Sequence, residues 1–85
     1  MNKIVLNKKQ YFYLKNFLFE KDDSLNKKIQ VEEVSNNFIL VVDDDIACDI
    51  GEWAMTELLR IGFDIHYELT EEGRILQEIV NDFNI

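Results

Sequence analysis

Two strand-like runs that follow each other closely constrain the fold of this chain most. KIQVEEV (residues 28–34) and FILVVD (residues 38–43) are rich in β-branched or aromatic residues, and only SNN separates them. Such residues favour strands, and Asn tolerates the left-handed backbone of a tight turn. The pattern predicts an antiparallel β-hairpin. Its second run is apolar throughout, which predicts an inner strand covered on both faces.

Three segments with helical periodicity surround this hairpin. Residues 8–20 follow Asn7, which is a favourable N-cap residue. Residues 45–61 follow an acidic cluster, and residues 70–83 begin at Thr70, another favourable N-cap residue. The apolar residues recur at helical spacing, on one face in each of the last two segments and on two faces in the first. The sequence therefore predicts three helices.

Two further short runs are candidate strands. KIVL (residues 3–6) is mostly apolar, and FDIHYEL (residues 63–69) alternates apolar with polar residues, as a strand or an extended connector of that length would. Helices and strands are mixed along the chain, which predicts an α+β fold with a small, mostly antiparallel sheet and helices packed on it. The 85 residues are expected to form one small globular domain, 1–85.

Charge is distributed unevenly along the chain. Residues 1–28 hold seven Lys and three acids, a net of +4, whereas residues 29–85 hold two Arg and fourteen acids, a net of −12. An acidic surface repels the phosphates of nucleic acids and attracts basic proteins. No run is apolar and long enough to span a membrane, and MNKIVLNKKQ lacks the apolar core of a secretion signal. We expect a cytoplasmic protein that binds neither nucleic acid nor membrane.

Residues with catalytic or metal-binding chemistry are few. Asp43–Asp45 precede a predicted helix, where carboxylates cap free N–H groups. Together with Asp49 and His66 they are the candidates for a weak divalent-metal module, although hard cations need several oxygens from a folded loop. His66 has no Ser or Cys near it in sequence to complete a triad, and the single Cys48 supports no disulfide framework. The chain is predicted to be non-enzymatic and to hold no cofactor.

Trp53 is the leading candidate for a contact with a partner. On a helical wheel it lies away from the apolar arc of its segment, among Asp49, Glu52 and Glu57. Tryptophan dominates the hot spots of protein interfaces, and the neighbouring carboxylates suit a basic partner. The alternative is that Trp53 completes the core on a second side of the helix.

The first predicted helix is apolar on two faces. One broad face is shared by Tyr11, Tyr13, Leu14, Phe17 and Leu18. Phe12 and Phe19, which are seven residues apart, fall on the other side. They form either an exposed patch for self-association or a second buried face under the hairpin. The first alternative predicts a homodimer.

Three stretches resemble known families. GFDIHYELTEEGRIL (residues 62–76) resembles a GFDxxYxLTxEGxxL segment that ends small uncharacterised acidic bacterial and phage proteins. That resemblance covers about residues 44–83 and implies a bacterial or phage origin, but no function. YELTEEGRIL is also similar to the segment before the last helix of winged-helix regulators, yet no helix-turn-helix precedes it. ILVVDDD resembles the start of a receiver domain, but too few residues follow Asp45 to reach its phosphorylated aspartate.

These features together predict a non-enzymatic acidic binding or regulatory module that engages a basic protein partner. Immunity proteins, antitoxins and phage inhibitors of host enzymes are the types of small acidic protein that this description fits. The predicted contact residues are Trp53, Asp49, Glu52, Glu57, Phe12 and Phe19. Two alternatives stay open, a structural homodimer without another partner and the weak divalent-metal module.

Overall fold

An antiparallel sheet of three strands and the helices packed on it make up the fold. The computed structural model describes residues 1–83. The elements in chain order are β1 (Asn2–Asn7), α1 (Lys8–Leu14), α2 (Asp23–Asn26), β2 (Gln30–Val34), β3 (Asn37–Val42), α3 (Asp44–Ile61) and α4 (Glu71–Asp82). The predicted α+β class is confirmed, and the one-turn helix α2 is an addition to it. No helix within residues 1–83 is both long and apolar enough to cross a membrane.

The central strand of the sheet is β3, which pairs antiparallel with β1 on one side and β2 on the other. Ile4 lies opposite Leu40 in the first pair, so the candidate strand at residues 3–6 is confirmed as part of β1. β2 and β3 form the predicted hairpin. Ser35 begins the two-residue turn between them with a φ of 56°, the left-handed backbone that such turns need.

Only one face of the sheet is fully covered. The side chains buried there are Ile4, Leu6, Phe38, Leu40 and Val42. On the opposite face Ile39 and Val41 are half-buried, and Val5 is exposed. β3 is therefore an inner strand, but the prediction that both of its faces are covered was wrong. The reason is that α1 and α4 pack on the same face of the sheet and α3 packs against α4, which stacks the helices on one side.

Side-chain caps begin each of the three longer helices, as predicted. Asn7 and Gln10 form a reciprocal capping box at the start of α1. The Asp43 carboxylate accepts a hydrogen bond of 2.8 Å from the N–H three residues later and so caps α3. Thr70 caps α4 by accepting a bond of 3.0 Å from the N–H of Gly73. These bonds satisfy N–H groups that a helix leaves free at its first turn.

A π-helical segment, Lys15–Phe19, continues α1 and changes which aromatic side chains face the core. The N–H of Glu20 donates to the carbonyl of Lys15 at 2.9 Å, which spans five residues instead of the four of an α-helix. Later side chains are therefore rotated away from their α-helical positions. Phe19 is buried in the core, which is one of the two alternatives considered for it, whereas Phe17 is 46% exposed although the helical wheel groups it with the broad apolar face.

Residues 63–69 form a loop, not a strand of the sheet, and we call this segment the tip loop. Phe63 and Leu69 meet in an isolated bridge, and the chain reverses between them. The Asp64 carboxylate accepts hydrogen bonds from the backbone N–H groups of His66 (2.8 Å) and Glu68 (3.1 Å). Such local bonds from an Asp side chain compete with strand pairing, which explains why this alternating run is a connector, the alternative to a strand that its pattern left open.

Candidate protein-binding surface

Trp53 lies at the surface end of a run of three aromatic rings. Its ring centroid is 6.3 Å from that of Tyr13, which in turn is 4.6 Å from that of Phe17. Tyr13 is buried, Trp53 is half-buried and Phe17 is exposed. Trp53 thus packs against the core with one part of its indole and meets solvent with another. Its position has features of both alternatives considered from the sequence, a partner contact and a second side of the core.

Carboxylates border this aromatic run. Asp49 and Glu57 are four residues before and after Trp53 on α3, a spacing that places all three on one side of the helix. Glu72, in the first turn of α4, accepts a hydrogen bond of 3.3 Å from the Tyr13 hydroxyl. We call the set Tyr13, Phe17, Asp49, Trp53, Glu57 and Glu72 the Trp53 surface. Three elements far apart in sequence contribute to it.

Tyr13 is the buried member of the Trp53 surface, and its surroundings raise its pKa. Burial of the phenol, and then the nearby Glu72 carboxylate, raise the pKa of Tyr13 from 10.0 to about 12. Glu57 adds to the same effect, and Arg60 opposes it. The hydroxyl therefore remains a neutral donor to Glu72 at any physiological pH.

The raised pKa of Tyr13 predicts a loss of stability at alkaline pH. The unfolded chain releases this proton near pH 10.0, whereas the folded chain holds it to about pH 12. Its contribution is therefore fully present below pH 10 and falls as the pH rises towards 12. Urea unfolding across that range should show that the free energy of unfolding falls less with pH for Tyr13→Phe than for wild type. Near neutral pH the substitution should lower the free energy of unfolding by about 0.5–1.5 kcal/mol. An equal fall in the free energy of unfolding of the two proteins would contradict the assignment of this pH dependence to Tyr13.

Glu52 does not join the Trp53 surface. It lies about 100° around the helix from Trp53, since consecutive residues of an α-helix are separated by that angle. There it borders a shallow groove between α3 and α4 with Met55 and Phe83. The sequence grouping of Trp53 with Asp49 and Glu57 agrees with this geometry, whereas the inclusion of Glu52 does not.

The two phenylalanines predicted to share a face are separated in the structure. Phe12 is 43% exposed and lies in a different aromatic cluster, with its ring centroid 5.4 Å from Tyr11 and 5.6 Å from Phe38. Phe19 is 2% exposed and belongs to the core. Phe19 is therefore removed from the candidate contact residues, because a buried ring cannot meet a partner without unfolding. Phe12 remains at the surface, but apart from Trp53.

The residues considered for a divalent metal are also separated. Asp43–Asp45 lie at the N-terminal end of α3, and His66 lies in the tip loop beyond its C-terminal end. The 18 residues of α3 make these ends about 27 Å apart at ~1.5 Å per residue. His66 and the acidic cluster cannot share one ion. Across residues 1–83, no three His, Cys, Asp or Glu side chains are grouped to hold a metal.

Sequence reasoning missed half of the Trp53 surface. Tyr13 and Phe17 were expected on a core face, and Glu72 was expected only to favour the start of its helix. The four-residue spacing of Tyr13 and Phe17 is a signal for ring contact on one helix. Nothing local indicates that Glu72 meets Tyr13, since 59 residues separate them.

The chemistry of the Trp53 surface suits cationic side chains. Aromatic faces attract Lys and Arg, and carboxylates accept their hydrogen bonds. Two contacts within the chain already show this behaviour, because the Lys21 ammonium lies 5.8 Å from the centroid of Phe17 and the Arg60 guanidinium donates to Glu57 at 2.7 Å. Searches of family models, of curated proteins and of solved structures find no significant match to this chain, so its function is inferred from this surface.

Proposed function

We propose that this chain is a non-enzymatic binding module whose Trp53 surface engages a basic segment of a protein partner. The observation that carries the proposal is the aromatic run from Phe17 through Tyr13 to Trp53, bordered by three carboxylates. A regulatory role of the immunity, antitoxin or phage-inhibitor type is compatible with such a surface, since those proteins act by covering a basic site on another protein.

The arrangement supports binding through two separable contributions. A partly exposed tryptophan that is already held by Tyr13 loses little conformational freedom on binding, so the area it buries contributes to affinity. The carboxylates act at longer range by steering a positively charged partner, which raises the association rate more than the affinity. The net charge of −8 extends that attraction over the molecule. Binding is expected to weaken as salt screens these charges.

The proposal predicts that binding depends on Trp53 and Asp49 but not on acids elsewhere. Proteins retained by the immobilised chain from cells that express it are identified, purified and titrated individually, with the fluorescence of Trp53, the single tryptophan, as the signal. We expect Trp53→Ala to weaken binding by 2 kcal/mol or more, about thirtyfold, as hot-spot residues do. Asp49→Lys is expected to slow association and to reduce its dependence on salt. The Trp53→Ala protein is followed through a dye on Cys48, which is exposed.

The matched control is Glu33→Lys, which makes the same charge change at an exposed acid on β2, away from the Trp53 surface. This variant should bind as wild type does apart from a small uniform effect of net charge. Thermal unfolding of each variant shows whether weaker binding reflects a lost contact with the partner or a loss of folded protein. Equal effects of Asp49→Lys and Glu33→Lys, or full binding by Trp53→Ala, would rule out this surface as the binding site.

A further inference from the structure

The tip loop carries the two most exposed large apolar side chains within residues 1–83. Ile65 is 89% exposed and Tyr67 is 88% exposed, and only His66 separates them. Single exposed apolar residues are common, but two at the apex of one loop form a convex apolar contact. The acidic residues Asp64 and Glu68 flank this apex.

Hydrogen bonds hold the tip loop in one shape. Asp64 N–H donates to the carbonyl of Glu68 at 2.9 Å, and the Asp64 carboxylate accepts two further backbone bonds. At the base of the loop, Thr70 N–H donates to the carbonyl of Gly62 at 2.9 Å. Tyr67 adopts a φ of 62°, a left-handed backbone that is unfavourable for an aromatic residue. The sequence keeps a large aromatic where Asn or Gly would suit the turn better.

A concave surface of complementary character lies beside the loop. It is an open groove of about 910 Å³ between the start of α1, the β2–β3 turn and α4. Its apolar residues are Leu69 and Ile75, and its charged residues are Lys8, Lys9, Arg74, Glu71 and Glu78. The Glu78 carboxylate already accepts a hydrogen bond of 3.0 Å from Gln10. Within residues 1–83 the single ion pair is Arg60 with Glu57, so the three cations of the groove are unpaired there.

We propose that two copies of this chain associate by reciprocal exchange, each placing the apex of its tip loop in the groove of the other. The apolar apex meets Leu69 and Ile75, and the acids that flank the apex meet the three cations of the groove. Leu69 belongs to both features, so loop and groove are adjacent on each copy. With a two-fold axis close to Leu69, the tip loop of each copy lies in the groove of the other, which gives the self-complementary contact of a closed dimer.

This association does not rest on the function proposed for the Trp53 surface. Trp53 and Asp49 are absent from the groove and from the tip loop. The dimer therefore leaves that surface free for a partner, and loss of one interaction does not imply loss of the other. Size measurements on the purified chain alone test the association.

Light scattering and sedimentation equilibrium over a wide concentration range give the first test, with a reductant present because Cys48 is exposed. The mass should rise from 10.1 kDa towards twice that value as concentration increases. Tyr67→Asn combined with Ile65→Ser should remain monomeric with a melting temperature no lower than that of Tyr67→Asn alone. At a concentration where wild type is monomeric, Tyr67→Asn by itself should hold or raise the melting temperature, because Asn accepts a positive φ. Leu59→Ser, at an exposed apolar position on α3, is the control that should still dimerise.

A charge exchange gives the second test. Glu68→Lys places a cation beside the apex, and Arg74→Glu with Lys9→Glu makes the groove acidic. Each protein alone then opposes like charges in both contacts and should be monomeric. An equimolar mixture pairs opposite charges in both contacts and should recover the dimer mass. Wild type that stays at 10.1 kDa at every concentration overturns the proposal, as does a mixture that behaves as the sum of its components. A dimer that the tip-loop variant leaves intact assigns the contact elsewhere and overturns it too.

Discussion

Replacing Gly73 with Ala is expected to destabilise the fold by about 3 kcal/mol or more, at the upper end of the range for overpacking. A β-carbon at this position would overlap the carbonyl oxygen of Gly62 and would lie 2.8 Å from its carbonyl carbon and 2.9 Å from its Cα. These are backbone atoms, which cannot swing aside as the end of a side chain can. The substitution therefore forces the start of α4 away from the end of α3.

The hydrogen bonds at this junction explain why such a movement is costly. The carbonyl of Gly62 accepts bonds from the N–H of Thr70 at 2.9 Å and from its hydroxyl at 3.3 Å. The same hydroxyl oxygen accepts the bond from Gly73 N–H that caps α4. Displacing Gly73 from Gly62 thus breaks the cap and the base of the tip loop together. Gly73 permits this close approach, whereas a β-carbon at Gly62 would meet Leu58 of its own helix.

The matched control is Gly51→Ala on α3. A β-carbon there would lie 3.5 Å from the Phe83 carbonyl oxygen and 3.6 Å from its Cβ, which is ordinary van der Waals contact. Because Ala is more favourable than Gly in the interior of a helix, this variant should be as stable as wild type or more stable by about 0.5–1 kcal/mol. Chemical denaturation of both variants measures the difference. A Gly73→Ala protein as stable as Gly51→Ala would show that the helices are not in close contact at Gly62.

Local signals in the sequence were sufficient to predict most of the elements. The hairpin is indicated by two β-rich runs around SNN, and each N-cap by a polar side chain that reaches an N–H two or three residues later. Asn7, Asp43 and Thr70 all act in this way. The boundaries of α3 and α4 consequently differ from the predicted ones by about one residue.

Features that depend on contacts between elements were not predictable in the same way. The alternation in residues 63–69 is real, but Asp64 directs the backbone into a turn before those residues can pair with a sheet. The number of faces of β3 that are covered depends on where α1 and α4 pack, which periodicity does not encode.

The residues of the Trp53 surface also fall into two groups, those whose proximity follows from local spacing and those that only the tertiary structure brings together. Trp53, Asp49 and Glu57 share one helix, so their proximity follows from a spacing of four residues. Tyr13 and Glu72 reach the same place from α1 and α4, which only the tertiary structure brings together. Helical geometry thus predicts one wall of the surface, whereas the aromatic run and its third carboxylate require the fold.

The second large effect is expected at Phe19, which the π-helical segment places in the core. Phe19 is 2% exposed within the core, so Phe19→Ala should destabilise the protein by about 3–5 kcal/mol, as removal of a buried aromatic ring does. Phe17 is 46% exposed, and its ring centroid lies 4.6 Å from that of Tyr13, so Phe17→Ala should cost about 1 kcal/mol. A regular α-helix instead groups Phe17 with Tyr13 and Leu14 on one broad face and places Phe19 on the other side.

Urea unfolding of Phe17→Ala and Phe19→Ala, followed by circular dichroism, decides between the two registers. The two substitutions remove the same ring from positions two residues apart, so intrinsic helix propensity and side-chain size are matched. A stability loss concentrated in Phe19→Ala supports the five-residue hydrogen bond from Glu20 to Lys15. The reverse order would place Phe17 in the core and would remove it as an exposed member of the aromatic run that leads to Trp53.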